Sequence, residues 1–395
     1  MLDVRCSLPT IHSLIALVTF RKIIFWLHLV AGLFAGIVIL VMSVTGVLLT
    51  FERQMIEWSE REFHLTPPQP GATRLPMETL LAKIRETETN SPSSISLQSK
   101  LNAPVILAFG ASRNIFVDTY SGKILGEGSK TTRGFFRSMR EWHRWLATSE
   151  ENRAIGKALT GACNLTFLFL VVSGFYLWWP RKWNWNSVKA VVLFNGKLSG
   201  KARDFNWHNV IGSWSALPLF FVVATGVIMS YAWANNLLFH ITGNEPPPQR
   251  TAPTRTEKPR EEKSAELKLE NLSQFWTSAE QRFSDWKTIT LRLPTSPTAP
   301  LVFSVERGTR GRPDLKTQLT FNSKTSELTE ETFASYNLGR KLRLWSRYVH
   351  TGEAGGIVGQ IIAGLVSAGG AFLVWTGFAL AWRRFLQRKA ESTNP

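Results

Sequence analysis

The chain has 395 residues, with 46 lysines and arginines against 29 aspartates and glutamates, so its net charge is +17 at pH 7. That balance could indicate a nucleic-acid-binding protein, but the basic residues lie beside long uncharged stretches and no nucleic-acid-binding motif accompanies them. We therefore expect no nucleic acid partner. The only cysteines are Cys6, in a terminal segment, and Cys163, in an apolar stretch, so we expect no disulfide framework.

Four uncharged stretches are long enough to cross a bilayer, whose hydrocarbon core needs about 20 helical residues. The predicted transmembrane helices are residues 23–51, 154–180, 206–233 and 357–382. The first is too long for a removed signal peptide and lacks the small-residue cleavage site of one. The sequence therefore predicts an integral membrane α-helical protein in a lipid bilayer.

Basic residues predict the orientation of these helices. Arg21 and Lys22 precede the first helix, and further lysines and arginines fill the loop after the second helix and the tail after the fourth. Such clusters are typical of the cytoplasmic side. The predicted cytoplasmic segments are 1–22, 181–205 and 383–395, and the predicted outside segments are 52–153 and 234–356.

Each outside segment is predicted to form a small α+β module. In the first, a helix at 75–87 precedes short strands that end in a hairpin at 115–125. The second begins with a proline- and charge-rich linker at 246–263. It then repeats the same order, with a helix at 272–283, strands at 289–293 and 301–305, and a hairpin at 319–328.

The chain contains an internal duplication. The matched segments are 25–28 with 205–208, 45–47 with 225–227, and 173–175 with 376–378. Each half is therefore a helix, an outside module and a second helix. A repeat in the same orientation relates the two halves by an axis along the membrane normal.

Four of the seven histidines follow this duplication. His28 and His208 lie near the cytoplasmic ends of the first and third helices, and we call them the inner pair. His143 and His350, the outer pair, precede the second and fourth helices and align when a gap of four residues is allowed. The first helix alone rises roughly 35 Å from His28 to its end, so the pairs lie at two depths. The remaining histidines, predicted not to be ligands, are His12, His64 and His240.

Two histidines at each depth predict two haem b groups, each held by imidazoles that face each other across the helical bundle. A structural zinc ion would need four ligands. Covalent attachment of haem is not expected, because no Cys-x-x-Cys-His motif occurs. The alternative is that these histidines are interfacial residues satisfied by hydrogen bonds between helices.

Arg140 and Arg347 each stand three residues before an outer histidine, and would share its face if helix continues there. Their guanidinium groups suit haem propionates, whereas solvated surface charge is an equal interpretation for Arg144 and Arg343. Small residues would allow close approach of a haem plane or of another helix. They are Gly32, Gly36, Gly212, Gly355, Gly356 and Gly359.

These motifs together resemble the PepSY-associated transmembrane family from about residue 21 to 384. The resemblance rests on segments 26–28, 141–145 and 207–209 and on two hairpins, 117–126 and 321–328. Asn322 and Thr325-Ser326 depart from the usual aspartate and Thr-Gly of the second hairpin. The family includes di-haem ferric-siderophore reductases of the bacterial inner membrane, so the resemblance implies two haem b groups ligated by the four paired histidines.

The resemblance further implies a haem-dependent oxidoreductase that passes electrons outward to a ferric siderophore in the periplasm, near His143 and His350. Arg133, Arg137, Arg340 and Lys341 would bias that surface toward anionic groups. No dinucleotide or flavin motif occurs, so a cytoplasmic protein or a quinol is the expected electron donor. The alternatives are a non-redox membrane protein that binds peptides or modulates a protease, and a transporter. The transporter is disfavoured because the predicted helices contain no carboxylate.

Overall fold

A computed structural model describes residues 11–66, 71–110, 113–180, 183–248, 272–294, 299–309, 311–322 and 327–392. Most of the predicted linker at 246–263, and the turn of the predicted hairpin at 319–328, lie outside these residues. In chain order the helices are α1 (Ile11–Thr50), α2 (Glu52–Ser59), α3 (Met77–Arg85), α4 (Lys130–Trp145), α5 (Arg153–Trp178), α6 (Trp185–Val192), α7 (Gly200–Ser230), α8 (Ala232–Ile241), α9 (Leu272–Arg282), α10 (Leu338–His350) and α11 (Gly356–Ser392). The strands are β1 (Ser94–Gln98), β2 (Val105–Phe109), β3 (Arg113–Val117), β4 (Ile124–Glu127), β5 (Thr288–Arg292), β6 (Leu301–Glu306), β7 (Lys316–Phe321) and β8 (Leu328–Thr332).

Four helices, α1, α5, α7 and α11, form the bundle, and each contains a segment long and apolar enough to cross a membrane. Helix α1 packs between α5 and α11, and α7 packs between the same two helices, so α1 and α7 lie diagonally opposite. Large apolar side chains point outward, such as Phe34, which is 87% exposed. This surface suits lipid rather than water, and the prediction of four transmembrane helices is confirmed.

Helix α7 begins at Gly200, six residues before the predicted third transmembrane segment, and this first part of the helix contains the buried Asp204. Asp204 is tolerated because Arg203 Nη2 lies 2.9 Å from one of its oxygens and Arg383 Nε lies 3.1 Å from the other. A buried carboxylate is stable only when it is paired in this way.

The strands form one antiparallel sheet in the order β4-β3-β2-β1-β5-β6-β7-β8. The two outside modules therefore share a continuous sheet, joined at a seam where β1 pairs with β5 and Ser96 lies opposite Thr290. Helices α3 and α9 cover one face, and alternate residues of every central strand point into the core beneath them. The sequence analysis predicted two modules but not their fusion.

Both predicted hairpins are present. In the first, the backbone N–H of Asp118 donates to the carbonyl of Lys123, and Gly122 adopts a φ of 73° that favours glycine. The second joins β7 to β8, which pair along their length. These α+β elements confirm the predicted fold class.

Helices α4 and α10 connect the sheet to the bundle and end beside it. Ser129 caps the start of α4 by accepting from the N–H of Thr132. At its other end the hydroxyl of Thr160 on α5 donates to the carbonyl of Arg144 at 2.7 Å. Helix α10 ends at His350 itself. Helix α4 continues for two residues past His143, and the connection that follows it is two residues longer than the one after α10. Together these residues account for the four-residue gap in the duplication, and both outer histidines lie at or near helix ends.

Candidate functional site

The outer pair lies at the end of the bundle that carries the sheet. The ring centres of His143 and His350 are 6.2 Å apart, and their planes are inclined by 62°. Two collinear metal–imidazole bonds of about 2.0 Å, together with the ring radii, would separate the ring centres by roughly 6 Å. The spacing therefore matches two axial ligands on opposite sides of one iron.

Each outer histidine is anchored to the bundle through Nδ1. His143 Nδ1 lies 3.0 Å from the Met42 carbonyl and 3.0 Å from Thr45 Oγ1, both on α1. His350 Nδ1 lies 2.8 Å from the Val222 carbonyl on α7. A carbonyl can only accept, so Nδ1 carries the proton and Nε2 keeps a lone pair for a metal.

The inner histidines use hydroxyl groups for the same purpose. His28 Nδ1 lies 2.8 Å from Ser173 Oγ, and that hydroxyl donates to the carbonyl of Phe169 at 2.7 Å. His208 Nδ1 lies 2.8 Å from Thr376 Oγ1, which donates to the carbonyl of Phe372 at 2.8 Å. Because each hydroxyl proton is already used, the oxygen accepts from Nδ1–H. The inner histidines thus present Nε2 in the same way as the outer ones.

A glycine faces each imidazole and lets it approach the opposite helix. A Cβ added at Gly174 would lie 3.2 Å from His28 Cε1, one at Gly226 would lie 3.2 Å from His350 Cε1, and one at Gly46 would lie 3.5 Å from His143 Cε1. Gly377 faces His208 at 3.8 Å. The sequence analysis identified these glycines only as markers of the duplication. In the sequence, each of these glycines follows a serine or threonine, and this repeated pair could have indicated that they lie beside the histidines.

The imidazoles retain accessible surface although their anchors do not. Ser173 is 4% exposed and Thr376 is 0% exposed, whereas all four histidines are half-buried. Each ring therefore has a packed side, where Nδ1 is bonded, while the residue as a whole is not fully enclosed. Burial lowers the pKa of His143 to about 4 and also lowers that of His350, so both outer rings are neutral and able to bind a metal.

Each histidine pair offers two ligands, which suits a haem iron better than a tetrahedral metal ion. Among the described residues, no group of three or more His, Cys, Asp or Glu side chains could hold a metal ion. A structural zinc site would require four such ligands. Paired histidines in an apolar bundle instead fit a haem, whose macrocycle supplies the remaining donors.

Several predicted glycines pack helices rather than line this space. A Cβ at Gly36 would lie 2.7 Å from Phe378, and Gly32 and Gly212 face Leu170 and Leu373. Gly359 packs directly on Gly352, and nothing lies near Gly355 or Gly356. Of the two interpretations offered by the sequence, helix packing describes the first four.

The predicted propionate partners differ in their surroundings. Arg140 forms an ion pair with Glu52, whereas Arg347 is exposed on α10. Arg144 is exposed, and Arg343 Nε donates to Asn235 at 2.9 Å.

Acidic side chains offset part of the predicted positive surface near the outer pair. Arg133 pairs with the buried Glu60 at 2.5 Å, and Arg340 pairs with Glu331 at 3.0 Å. The surface is therefore less attractive to anions than its arginine content predicts.

The other histidines lie apart from both pairs. His64 Nδ1 lies 3.0 Å from the Arg61 carbonyl, and His240 is exposed on α8. The side chain of His12 lies outside the described residues.

Comparison with models of protein families gives a match over most of the chain. The family model described as "PepSY-associated TM region" matches residues 25–384, which include all four paired histidines. A search of curated proteins returned no match.

Proposed function

We propose that this chain, which belongs to the PepSY-associated TM region family, is a di-haem b electron-transfer protein that reduces a ferric siderophore at the periplasmic face of a bacterial inner membrane. The observation that carries the proposal is the 6.2 Å spacing of His143 and His350, each anchored through Nδ1. Interfacial histidines with a purely structural role would have no need for this spacing together with a fixed tautomer on each ring.

His28 and His208 would hold the inner haem, and His143 and His350 the outer haem. Bound there, the two groups would supply one-electron transfer between the ends of the bundle. The chain itself fixes each imidazole tautomer through the contact at Nδ1. From His208 to Val222, which anchors His350, α7 rises roughly 21 Å, so the two levels lie toward opposite faces of the bilayer.

The substrate chemistry follows from the preference of iron for its ligands. A ferric siderophore binds Fe³⁺ through hard oxygen donors, and gain of one electron gives Fe²⁺, which such donors hold less tightly. Reduction therefore releases iron at the outer face. The donor would be a cytoplasmic protein or a quinol that reaches the inner pair from the end of the bundle that carries the basic loop.

An optical spectrum of the detergent-purified protein tests the proposal. We expect a b-type Soret band that shifts on reduction, with two haems per chain. Addition of a ferric siderophore to the reduced protein under anaerobic conditions should reoxidise the haem, whereas the same siderophore loaded with Ga³⁺, which is not reduced, should leave the spectrum unchanged. A colourless protein that binds extended peptides would contradict the proposal and support the alternative, a peptide-binding or protease-modulating membrane protein.

Two glycines related by the duplication provide a matched pair of variants. In Gly226→Ala the new methyl group would lie 2.9 Å from Asn164 Nδ2 and 3.2 Å from His350 Cε1, so the imidazole must move. In Gly46→Ala it would make an ordinary contact at 3.5 Å. We expect Gly226→Ala to weaken retention of the outer haem by about 10–100-fold, the usual effect of disturbing a group that orients a ligand.

Haem loss during dilution, followed at the Soret band, measures this difference. Gly46→Ala should behave like the unmodified protein. Equal retention in both variants would show that Gly226 does not position His350.

A further inference from the structure

Arg384, on α11 at the end of the bundle near the inner pair, has an incompletely satisfied guanidinium group. Its Nε is buried and has no hydrogen-bond partner among the described residues. The adjacent Arg383 differs, because its Nε donates to Asp204 at 3.1 Å. Two consecutive arginines therefore have different surroundings, and only one of them is neutralised by a carboxylate in the described part of the chain.

The aromatic rings around Arg384 place it close to the inner pair. Its guanidinium carbon lies 4.9 Å from the ring centre of Phe25 and 5.0 Å from that of Trp26. These residues precede His28 by about one helical turn on α1. On α11, Arg384 follows the His208 anchor Thr376 by eight residues, or about 12 Å of helix. The guanidinium thus lies between α1 and α11, beyond the inner pair on the side of the basic loop.

A buried guanidinium nitrogen without an acceptor is costly. The rings of Phe25 and Trp26 contribute cation–π attraction, but they cannot accept the in-plane N–H bond of Nε. A carboxylate can do so while also accepting from a second guanidinium nitrogen in the same plane. A planar anion would therefore supply the acceptor that the surroundings of Arg384 lack.

We infer that Arg384 binds a propionate carboxylate of the inner haem. This inference rests on the proposed function. It extends that function by naming a cofactor-binding residue on α11, whereas the inner histidines lie on α1 and α7. Propionates are the anionic groups that a haem between His28 and His208 would bring to this depth. The phosphate of an anionic lipid offers related chemistry from the bilayer, and the experiment must separate the two.

The test compares Arg384→Gln and Arg384→Lys in a His143→Ala background, in which only the inner haem is expected. Arg21→Gln is the control, since Arg21 lies at the same end of the bundle and donates to backbone carbonyls of Leu177 and Trp179. The readouts are the midpoint potential and the infrared redox-difference bands of a haem carrying ¹³C-labelled propionates. Retained phospholipid is measured in the same preparations.

Loss of a cation beside the haem destabilises its reduced form, so Arg384→Gln should lower the midpoint potential at least threefold more than Arg21→Gln. It should also shift the labelled carboxylate bands, and Arg384→Lys, which keeps the charge but not the planar fork, should restore part of the potential. Loss of the inner haem in Arg384→Gln but not in Arg384→Lys would also support the inference.

Three outcomes would overturn it. Unchanged carboxylate bands in a haem-loaded Arg384→Gln variant would reject the inference and leave the proposed function standing. Loss of phospholipid with an unchanged haem would assign Arg384 to a lipid phosphate. Absence of haem from the unmodified protein would reject both proposals.

Discussion

Replacement of His208 by alanine is expected to halve the haem content of the purified protein. His208 is anchored to Thr376 and lies on α7, diagonally across the bundle from His28 on α1. If the proposed inner haem is bound by these two histidines, loss of His208 would leave it with one histidine ligand, while the outer pair, about 20 Å away along the helices, would be unchanged. Haem per chain, measured as the pyridine complex, and the redox titration of the remaining haem report the result.

The duplication makes this prediction specific to each pair. His28→Ala should reproduce the spectrum and potential of His208→Ala, and His143→Ala should reproduce those of His350→Ala. His240→Ala, which changes an exposed histidine on α8, should retain both haems. If a well-folded single variant lost both haems, or if His28→Ala resembled His350→Ala, the assignment of ligands by depth would be wrong.

A disulfide is expected to form across the seam of the sheet in the double variant Ser96→Cys with Thr290→Cys. The hydroxyl oxygens of these residues are 2.9 Å apart, and the residues face each other directly in the β1–β5 register. Facing residues of this kind bring their Cβ atoms within the distance that a disulfide needs. Oxidation should therefore link the two halves nearly completely, and mass spectrometry of a proteolytic digest would identify the joined peptides.

The control is a pair of cysteines that is out of register on the same strands. Ser94 lies opposite Arg292, and Thr288 lies opposite Gln98, so Ser94→Cys with Thr288→Cys places the thiols about four residues apart along the strands. That separation, roughly 13 Å at the usual strand rise, is too long for a disulfide. Equal cross-linking in both variants, or none in either, would contradict a continuous sheet with this register.

The local pattern of the sequence predicted the four membrane helices and most of the elements of the sheet. Length and apolar composition are sufficient for helices that must satisfy their backbone within a bilayer. The seam was not predictable in the same way. Ser94, Ser96 and Gln98 alternate with buried Ile95 and Leu97, which indicates a strand, but this pattern does not specify which strand of the other half will pair with it.

The histidine pairs could be proposed from sequence because the duplication placed equivalent residues at equivalent depths. Their anchors were harder to recognise. Ser173 and Thr376 are common residues in membrane helices, and only the folded bundle places their hydroxyls 2.8 Å from His28 and His208. Arg384 was likewise only one member of a basic tail. Its distinction from Arg383 depends on a contact with Asp204 made between helices.

The seam also bears on the origin of the molecule. In the intact chain, β1 and β5 each cover an edge of the other half's sheet. A single half would expose that edge, together with unpaired backbone groups that favour association with a second copy. A symmetric homodimer of half-length chains would have satisfied both edges by the same self-complementary contact. The present protein is thus equivalent to such a dimer joined into one chain, in which the two copies became free to diverge at positions such as Asp204, whose counterpart in the first half is Ile24.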